Sequence, residues 1–378
     1  MRVVTFVGTR PELIRLACVI ERLDRTLDHY LVHTGQNYDY ELNELLFDDL
    51  GLRPPNEVLQ PDIGSLGRTI GGIIAGAERV LENQNPDAVL VLGDTNSCLA
   101  GIMAKRMQIP LFHMEAGNRC FDENVPEETN RRIIDHIADV NLVYTEHARR
   151  NLLAEGIHPR KIYLTGSPMT EVLNKHRAAI NASDVLSRLD LSAQGYIVVS
   201  AHRQENVDDP ERLRQVISTV ESLSREFSVP VVVSGHPRTR KRLESLKTEF
   251  SGQILMHRPF GFIDYNKLQM QSLCTVSDSG TISEESAILG FPAVTIRSSI
   301  ERPEAMDTGG MIVTGVDSDV VVQAVRVVLA QRENGDVPPV PAEYEIDNTS
   351  QRVVNLLLGV GNVAAEWSGL RPRTSDSA

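Results

Sequence analysis

Short apolar runs alternate with helical stripes along almost the whole chain, and this alternation does most to restrict the fold. Strand-like runs fall at 2–7, 30–33, 88–92, 110–114 and 140–144; the series restarts after about residue 170 with 196–200, 230–234, 253–257, 273–277 and 292–296. Leu13, Leu16, Ile20 and Leu23 form one apolar stripe at helical spacing, and Leu213, Val216, Ile217, Val220 and Leu223 form another. Successive βα units place strands in parallel and cover both faces of the sheet with helices. A length of 378 residues favours two such cores over one. The expected fold class is therefore α/β, with two Rossmann-like doubly wound domains facing across a cleft. The boundary is expected at Thr165-Gly-Ser-Pro168, where Gly and Pro interrupt the pattern. A last helix is expected at about 349–359, with a frayed polar tail from Gly361 onward.

The formal charge of −13 argues against nucleic acid or an anionic membrane surface as partner. An anionic small molecule would have to be held by local donors. Cys18, Cys98, Cys120 and Cys274 are scattered, with no CxxC pair, so neither a disulfide framework nor a zinc site is expected. Met1 leads straight into the first strand, and no apolar run reaches spanning length, which points to a cytoplasmic protein.

The most informative stretch is His113 to Arg131. A short apolar strand, 109–114, turns polar abruptly at Glu115, and Asp122, Glu123, Glu127 and Glu128 follow in one loop and the start of a helix. Just upstream, the apolar run 88–92 ends in Gly93-Asp-Thr95. Carboxylates removed from water are costly unless paired or used. In an open parallel sheet the carboxyl ends of the strands are where ligands bind. Two such ends carrying carboxylates point to proton transfer.

Other loops suggest anion binding. Gly8-Thr-Arg-Pro-Glu12 follows the first strand and opens a helix, with Arg10 adding a fixed charge; a plain helix cap with a solvated Arg is the alternative. Asp278-Ser-Gly-Thr281 has the same strand, small-residue loop and helix form. There Ser279 and Gly280 would present donors to a diphosphate, and Glu285 could accept both hydroxyls of a ribose. A Ser- or Asp-capped helix would look the same. Arg297, Glu301, Arg302 and Glu304 crowd the next strand end. His202 with Arg203, and His236 with Arg238, end successive strands and read as diphosphate contacts rather than metal ligands.

Taken in order, Gly-Thr-Arg-Pro-Glu (8–12), Gly-Asp-Thr (93–95), His-x-Glu-Ala-Gly (113–117), Pro-Glu-Glu-x-Asn-Arg (126–131), His-Arg (202–203), Asp-Ser-Gly (278–280) and Glu-Arg-Pro-Glu (301–304) resemble the non-hydrolysing UDP-N-acetylglucosamine 2-epimerase family. The resemblance runs from residue 1 to about 360. It implies the glycosyltransferase-B-like form of the two-domain fold, with the final helix crossing back onto domain one. The domains expected on that basis are 1–168 with 349–378, and 169–348. It also implies no metal and no nicotinamide cofactor, a UDP-sugar substrate and a homodimer. By family position Asp94, Glu115 and Glu127 are the catalytic carboxylates, with His202 beside the diphosphate. Arg10, Arg15, Arg119, Arg131, His236, Ser279, Gly280, Thr281, Glu285 and Arg302 are the expected substrate contacts.

The chain departs from the family pattern at Asn37, where relatives acting on UDP-N-acetylglucosamine have His, at Arg15, where they have Lys, and at Thr281, where they have Gly. Gln-His in those relatives belongs to a second, activating UDP-sugar site, and Gln36-Asn37 puts that regulation in doubt. Longer signatures over 33–40, 93–98 and 113–122 look closer to the branch that makes UDP-N-acetyl-L-fucosamine from its 6-deoxy-L-talose epimer for capsule or O-antigen. That substrate is the expectation, with UDP-N-acetylglucosamine as the alternative. A hydrolysing 2-epimerase and a retaining glycosyltransferase are remoter readings.

Overall fold

A computed structural model describes residues 1–35, 46–235, 242 and 253–367, apart from the side chains at 204, 362, 365 and 366. The chain forms two compact units, residues 1–174 with 346–378, and residues 175–345.

The first unit is built on a seven-stranded, wholly parallel sheet in the order β3-β2-β1-β4-β5-β6-β7. Its strands are β1 (Arg2–Val7), β2 (Asp28–His33), β3 (Glu57–Val58), β4 (Ala88–Leu92), β5 (Leu111–Met114), β6 (Val140–Val143) and β7 (Ile162–Leu164). β4, β5 and β6 are buried at every residue, as strands covered by helices on both faces must be. The helix Arg10–Thr26 buries Leu13, Leu16, Ile20 and Leu23, the stripe read from the sequence. The last helix, Thr349–Trp367, belongs to this unit. Thr349 Oγ1 donates to the carbonyls of Thr165 and Ser167 at 3.0 and 3.2 Å, and Val353, Leu357, Val360 and Ala364 form its buried stripe.

The second unit repeats the plan with six parallel strands in the order β10-β9-β8-β11-β12-β13. These are β8 (Ile197–Ser200), β9 (Val231–Ser234), β10 (Ile254–His257), β11 (Cys274–Ser277), β12 (Ala293–Thr295) and β13 (Ile312–Val313). The helices Pro210–Phe227 and Ser318–Glu333 pack on it through Leu213, Val216, Val220, Leu223, Val321, Val322 and Val325.

Three strands escape the sequence pattern: β3, β7 and β13. Each is two or three residues long and lies at an edge, too short to show a period. The last helix also outruns its expected end at 359 and continues through Gly359 and Gly361 to Trp367. A Cβ added at Gly361 would sit 2.9 Å from Met1 Cε, so this glycine allows close packing within the helix. Trp367 carries the Arg160 guanidinium 5.2 Å from its ring centre.

Candidate active site

The strand order of the first unit reverses between β1 and β4, and the loops after them are Gly8-Thr-Arg-Pro-Glu12 and Gly93-Asp-Thr95. This is the topological switch point of a doubly wound sheet, where ligands bind. Glu12 knits the two loops. It is almost fully buried and accepts from Gly8 N at 2.5 Å, from Ser97 Oγ at 2.8 and 2.9 Å, and from the Thr95 hydroxyl. Burial pushes its carboxyl up from 4.5 to about 7, against those hydrogen bonds and with a further push from the nearby Asp94 charge. Glu12 is absent from the expected site residues. The spacing Thr9-x-x-Glu12 carries the signal, since it reads as a capping box; Glu12 here reaches one residue further back, to Gly8.

Asp94 is gripped by Arg131, whose Nε and Nη2 lie 2.8 and 2.6 Å from the same Oδ2, and Asn130 Nδ2 donates to the Asp94 carbonyl at 2.8 Å. Arg131 also reaches Glu128 Oε2 at 2.8 Å. The helix Pro126–Ile137 is thereby tied to the loop after β4. Glu127 lies one turn before Asn130 and Arg131, on the same helical face, and is exposed. Glu128, its neighbour, is the buried carboxylate of the pair.

Glu115 follows β5 in the left-handed region, at φ +64°, which a residue with a Cβ adopts only when its surroundings impose it. Arg15 ion-pairs with its Oε2, and Asn118 Nδ2 approaches its Oε1 at 3.3 Å. A Cβ built on Gly93 would lie 3.5 Å from Glu115 Oε2. The Glu115 carboxylate thus rests against the turn that leads into Asp94. Arg15 and Arg131, expected as substrate contacts, are the counter-ions of these two carboxylates. Arg119 departs further from expectation: its side chain is closed off from solvent, and its donors go to Asn118 O, Asp135 and Glu155. A guanidinium so enclosed braces the loop and presents no donor to solvent. Arg10 opens its helix beside these loops.

In the second unit the order reverses between β8 and β11. Asp278, fully buried, accepts from the backbone N–H of His202 at 3.0 and 3.1 Å, from that of Arg203 at 2.9 Å and from Asn206 Nδ2 at 3.1 Å. His202 Nδ1 lies 3.1 Å from the same carboxylate, and its ring is exposed. Gly280 is ringed by cations: a Cβ there would lie 3.5 Å from Arg203 and Arg302 and 3.7 Å from Arg297. Arg297 is paired with Glu301 through two bonds of 2.5 and 2.6 Å, while Arg302 holds the Gly280 carbonyl and lies 3.5 Å from Glu284. Thr281 is the N-cap of the helix Ile282–Leu289 but makes no side-chain cap, and Ile282 N donates to the Ser279 carbonyl at 3.5 Å; a helix start of this kind attracts anions. Ser279 Oγ and Thr281 Oγ1 are 3.0 Å apart at its mouth. Glu285 is nearly buried and accepts from Gln269 Nε2 at 3.0 Å. His236, Gln36 and Asn37 lie outside the described residues. Among the described residues no cluster of His, Cys, Asp and Glu could hold a metal ion, and no helix is long and apolar enough to cross a membrane.

Paired parallel-sheet units, carboxylates at one switch point and a cationic, anion-receptive helix end at the other describe an enzyme of the sugar-nucleotide class. The sequence model of the UDP-N-acetylglucosamine 2-epimerase family matches residues 21–358, and the chain belongs to that family. The structure of UDP-N-acetylglucosamine 2-epimerase from Rickettsia bellii superposes with a TM-score of 0.91 at 44% identity, covering 97% of this chain and 98% of that one. The Methanocaldococcus jannaschii enzyme in complex with UDP-GlcNAc and UDP superposes with a TM-score of 0.88 at 32% identity, over 95% and 99% of the two chains. UDP-2,3-diacetamido-2,3-dideoxy-D-glucuronate 2-epimerase from Pseudomonas aeruginosa is 33% identical over 89% of this chain and 94% of its own length. The fold is the glycosyltransferase-B-like one of these structures, and the chain is a UDP-sugar 2-epimerase of the non-hydrolysing kind, hence an isomerase.

Proposed function

We propose that the protein inverts C2 of UDP-2-acetamido-2,6-dideoxy-L-talose to give UDP-N-acetyl-L-fucosamine, a precursor of capsule or O-antigen. C2 has no adjacent carbonyl, so its proton is not acidic enough to be removed alone. Removal is coupled to departure of UDP from C1, giving an unsaturated glycal; UDP then adds back as a proton is delivered to the opposite face. The chemistry asks for carboxylates that act as base and acid, and for donors that take up the charge on UDP. Asp94 and Glu115 supply the first, with Glu127 on the helix face that adjoins Asp94. The second unit supplies the rest: the Gly280 loop and its arginines for the diphosphate, His202 beside it, and Glu285 for the ribose.

The observation that carries the reaction is that the Glu115 carboxylate lies against the Gly93 turn that leads into Asp94, each carboxylate fixed by its own arginine. The 6-deoxy-L-hexose is favoured by Arg15 and Asn37 and by the signatures over 33–40, 93–98 and 113–122. A second reading, UDP-N-acetylglucosamine converted to UDP-N-acetylmannosamine, is favoured by the names of the Rickettsia and Methanocaldococcus relatives. Incubating the purified protein with each UDP-sugar in deuterated water tests both. Deuterium at C2 of the recovered nucleotide sugar is expected, faster with the L-talose compound. Free sugar and UDP as products would replace epimerisation by hydrolysis. Turnover of UDP-N-acetylglucosamine alone would hand the assignment to the second reading.

A further inference from the structure

Asp135 lies inside the first unit on the helix Pro126–Ile137, essentially without solvent contact, and no step of the reaction calls for it. Its carboxylate lies 2.9 Å from His113 Nδ1 and accepts from Gly117 N at 3.2 Å to each oxygen and from Arg119 Nη1 at 2.7 Å. His113 is fully buried in β5, and its other ring nitrogen, Nε2, lies 2.8 Å from the carbonyl of Gly93. A carbonyl oxygen only accepts, so Nε2 carries the hydrogen and donates it. The orientation of the ring is thereby fixed from both sides. Gly93 immediately precedes Asp94, and Gly117 follows Glu115 by two residues. One buried carboxylate therefore holds the backbone on which both reacting carboxylates stand.

Stability alone does not account for this arrangement. A buried charge network is costly to desolvate and is commonly matched by apolar packing of the same volume. The two points held are also backbone positions under constraint: Gly93 at φ +70°, Gly117 at φ +80°, and Glu115 between them in sequence at φ +64°. At Gly117 a Cβ would lie 2.3 Å from the Ala148 carbonyl oxygen, so the turn has nowhere to relax. The glycines adopt this region freely, but for Glu115 it persists only where several contacts impose it together.

We propose that Asp135 is a positioning residue for the proton transfers, acting through His113 on the Asp94 loop and through Gly117 on the Glu115 loop. This rests on the reading of Asp94 and Glu115 as base and acid. Loss of the carboxylate lets both loops drift, and a displacement of about 1 Å at a proton-transfer group costs on the order of 100-fold in rate. UDP is bound by other residues, so its affinity stays.

The test uses the full chain. Asp135→Asn is expected to lower kcat for epimerisation about 10- to 100-fold, with C2 deuterium exchange falling in step. KM and the Kd for UDP should change less than about twofold. A kcat within about twofold of wild type overturns the proposal, as does a loss confined to KM. Where Asp135→Asn fails to fold, two substitutions at His113 decide. His113→Gln keeps a donor that reaches toward Gly93 O, and His113→Asn keeps only the side facing Asp135. The Gln variant is expected to retain several-fold more kcat than the Asn variant at equal UDP affinity, and equal losses overturn the proposal. Asp94→Asn and Glu115→Gln are measured alongside. If those two still exchange deuterium, the carboxylate assignment itself fails; if they do not, and the Asp135 and His113 variants are active, only the positioning role fails.

Discussion

Arg15 is the counter-ion of Glu115: its guanidinium pairs with Oε2 of a glutamate that is nearly buried and held at φ +64°. A carboxylate so placed would cost several kcal/mol to keep ionised without a partner. The arginine therefore fixes the direction of the group. Arg15→Met is expected to reduce kcat at least about 100-fold and to lower stability by roughly 3 kcal/mol, because one buried charge is left behind. Arg15→Lys keeps the charge but loses the planar fork, and should recover most of the stability and part of the rate. Urea unfolding and the deuterium-exchange assay, run on both variants, check the pair.

Asp94→Asn and Glu115→Gln should each abolish C2 exchange while UDP still binds, since neither residue belongs to the unit that carries the Gly280 loop. Glu127→Gln is the more discriminating variant. Glu127 is exposed in this structure, while Glu128 beside it pairs with Arg131. A loss of exchange in Glu127→Gln with normal thermal stability fits a role in chemistry. Glu128→Gln should instead show its effect in stability, seen as a lowered unfolding midpoint.

The two sheets were legible because their inner strands are mostly apolar runs, long enough to show it. β3, β7 and β13 were not, because a two- or three-residue edge strand carries no period. At the site, motif order located Asp94 and Glu115 but not what holds them. Arg15, Arg119 and Arg131 look alike in sequence, as cations near an anionic substrate, yet all three turn inward to carboxylates. Apart from Glu128, three residues from Arg131, the carboxylates that turn these arginines lie 16 to 100 residues distant along the chain, and local pattern holds no record of those. Glu12 was missed for a related reason. Its capping spacing explains its presence at the helix start, and only the fold brings Ser97 and Thr95 onto the same carboxylate.

Glu12 predicts a pH dependence of stability. Its carboxyl is raised from 4.5 to about 7 in the folded protein. Between those values the folded state binds more protons than the unfolded state, so stability falls as pH rises. The contribution is fully present below about pH 4.5 and lost as pH passes through 7. Glu12→Gln removes this slope. Its amide oxygen can still accept from Gly8 N, and its NH2 can donate to the hydroxyls of Ser97 and Thr95, which can rotate to accept. The variant should therefore gain on wild type in unfolding midpoint between pH 5 and 8. A wild-type-minus-variant difference that stays flat over that range would show Glu12 ionising normally in the fold.

Gly280 offers the most direct check on the anion site of the second unit. Its absent side chain leaves room among Arg203, Arg297 and Arg302, and a methyl group there would meet them at 3.5 to 3.7 Å, ordinary contact distance. Gly280→Ala should therefore fold with a midpoint close to that of wild type. The methyl would nonetheless occupy the space in which the three guanidiniums and the uncapped helix start converge. UDP affinity is expected to fall at least about 10-fold, near 1.4 kcal/mol, by calorimetric titration, and kcat should fall less than the affinity does. Unchanged UDP binding by a well-folded Gly280→Ala would move the diphosphate away from this loop, and the roles assigned to Ser279 and Thr281 would go with it.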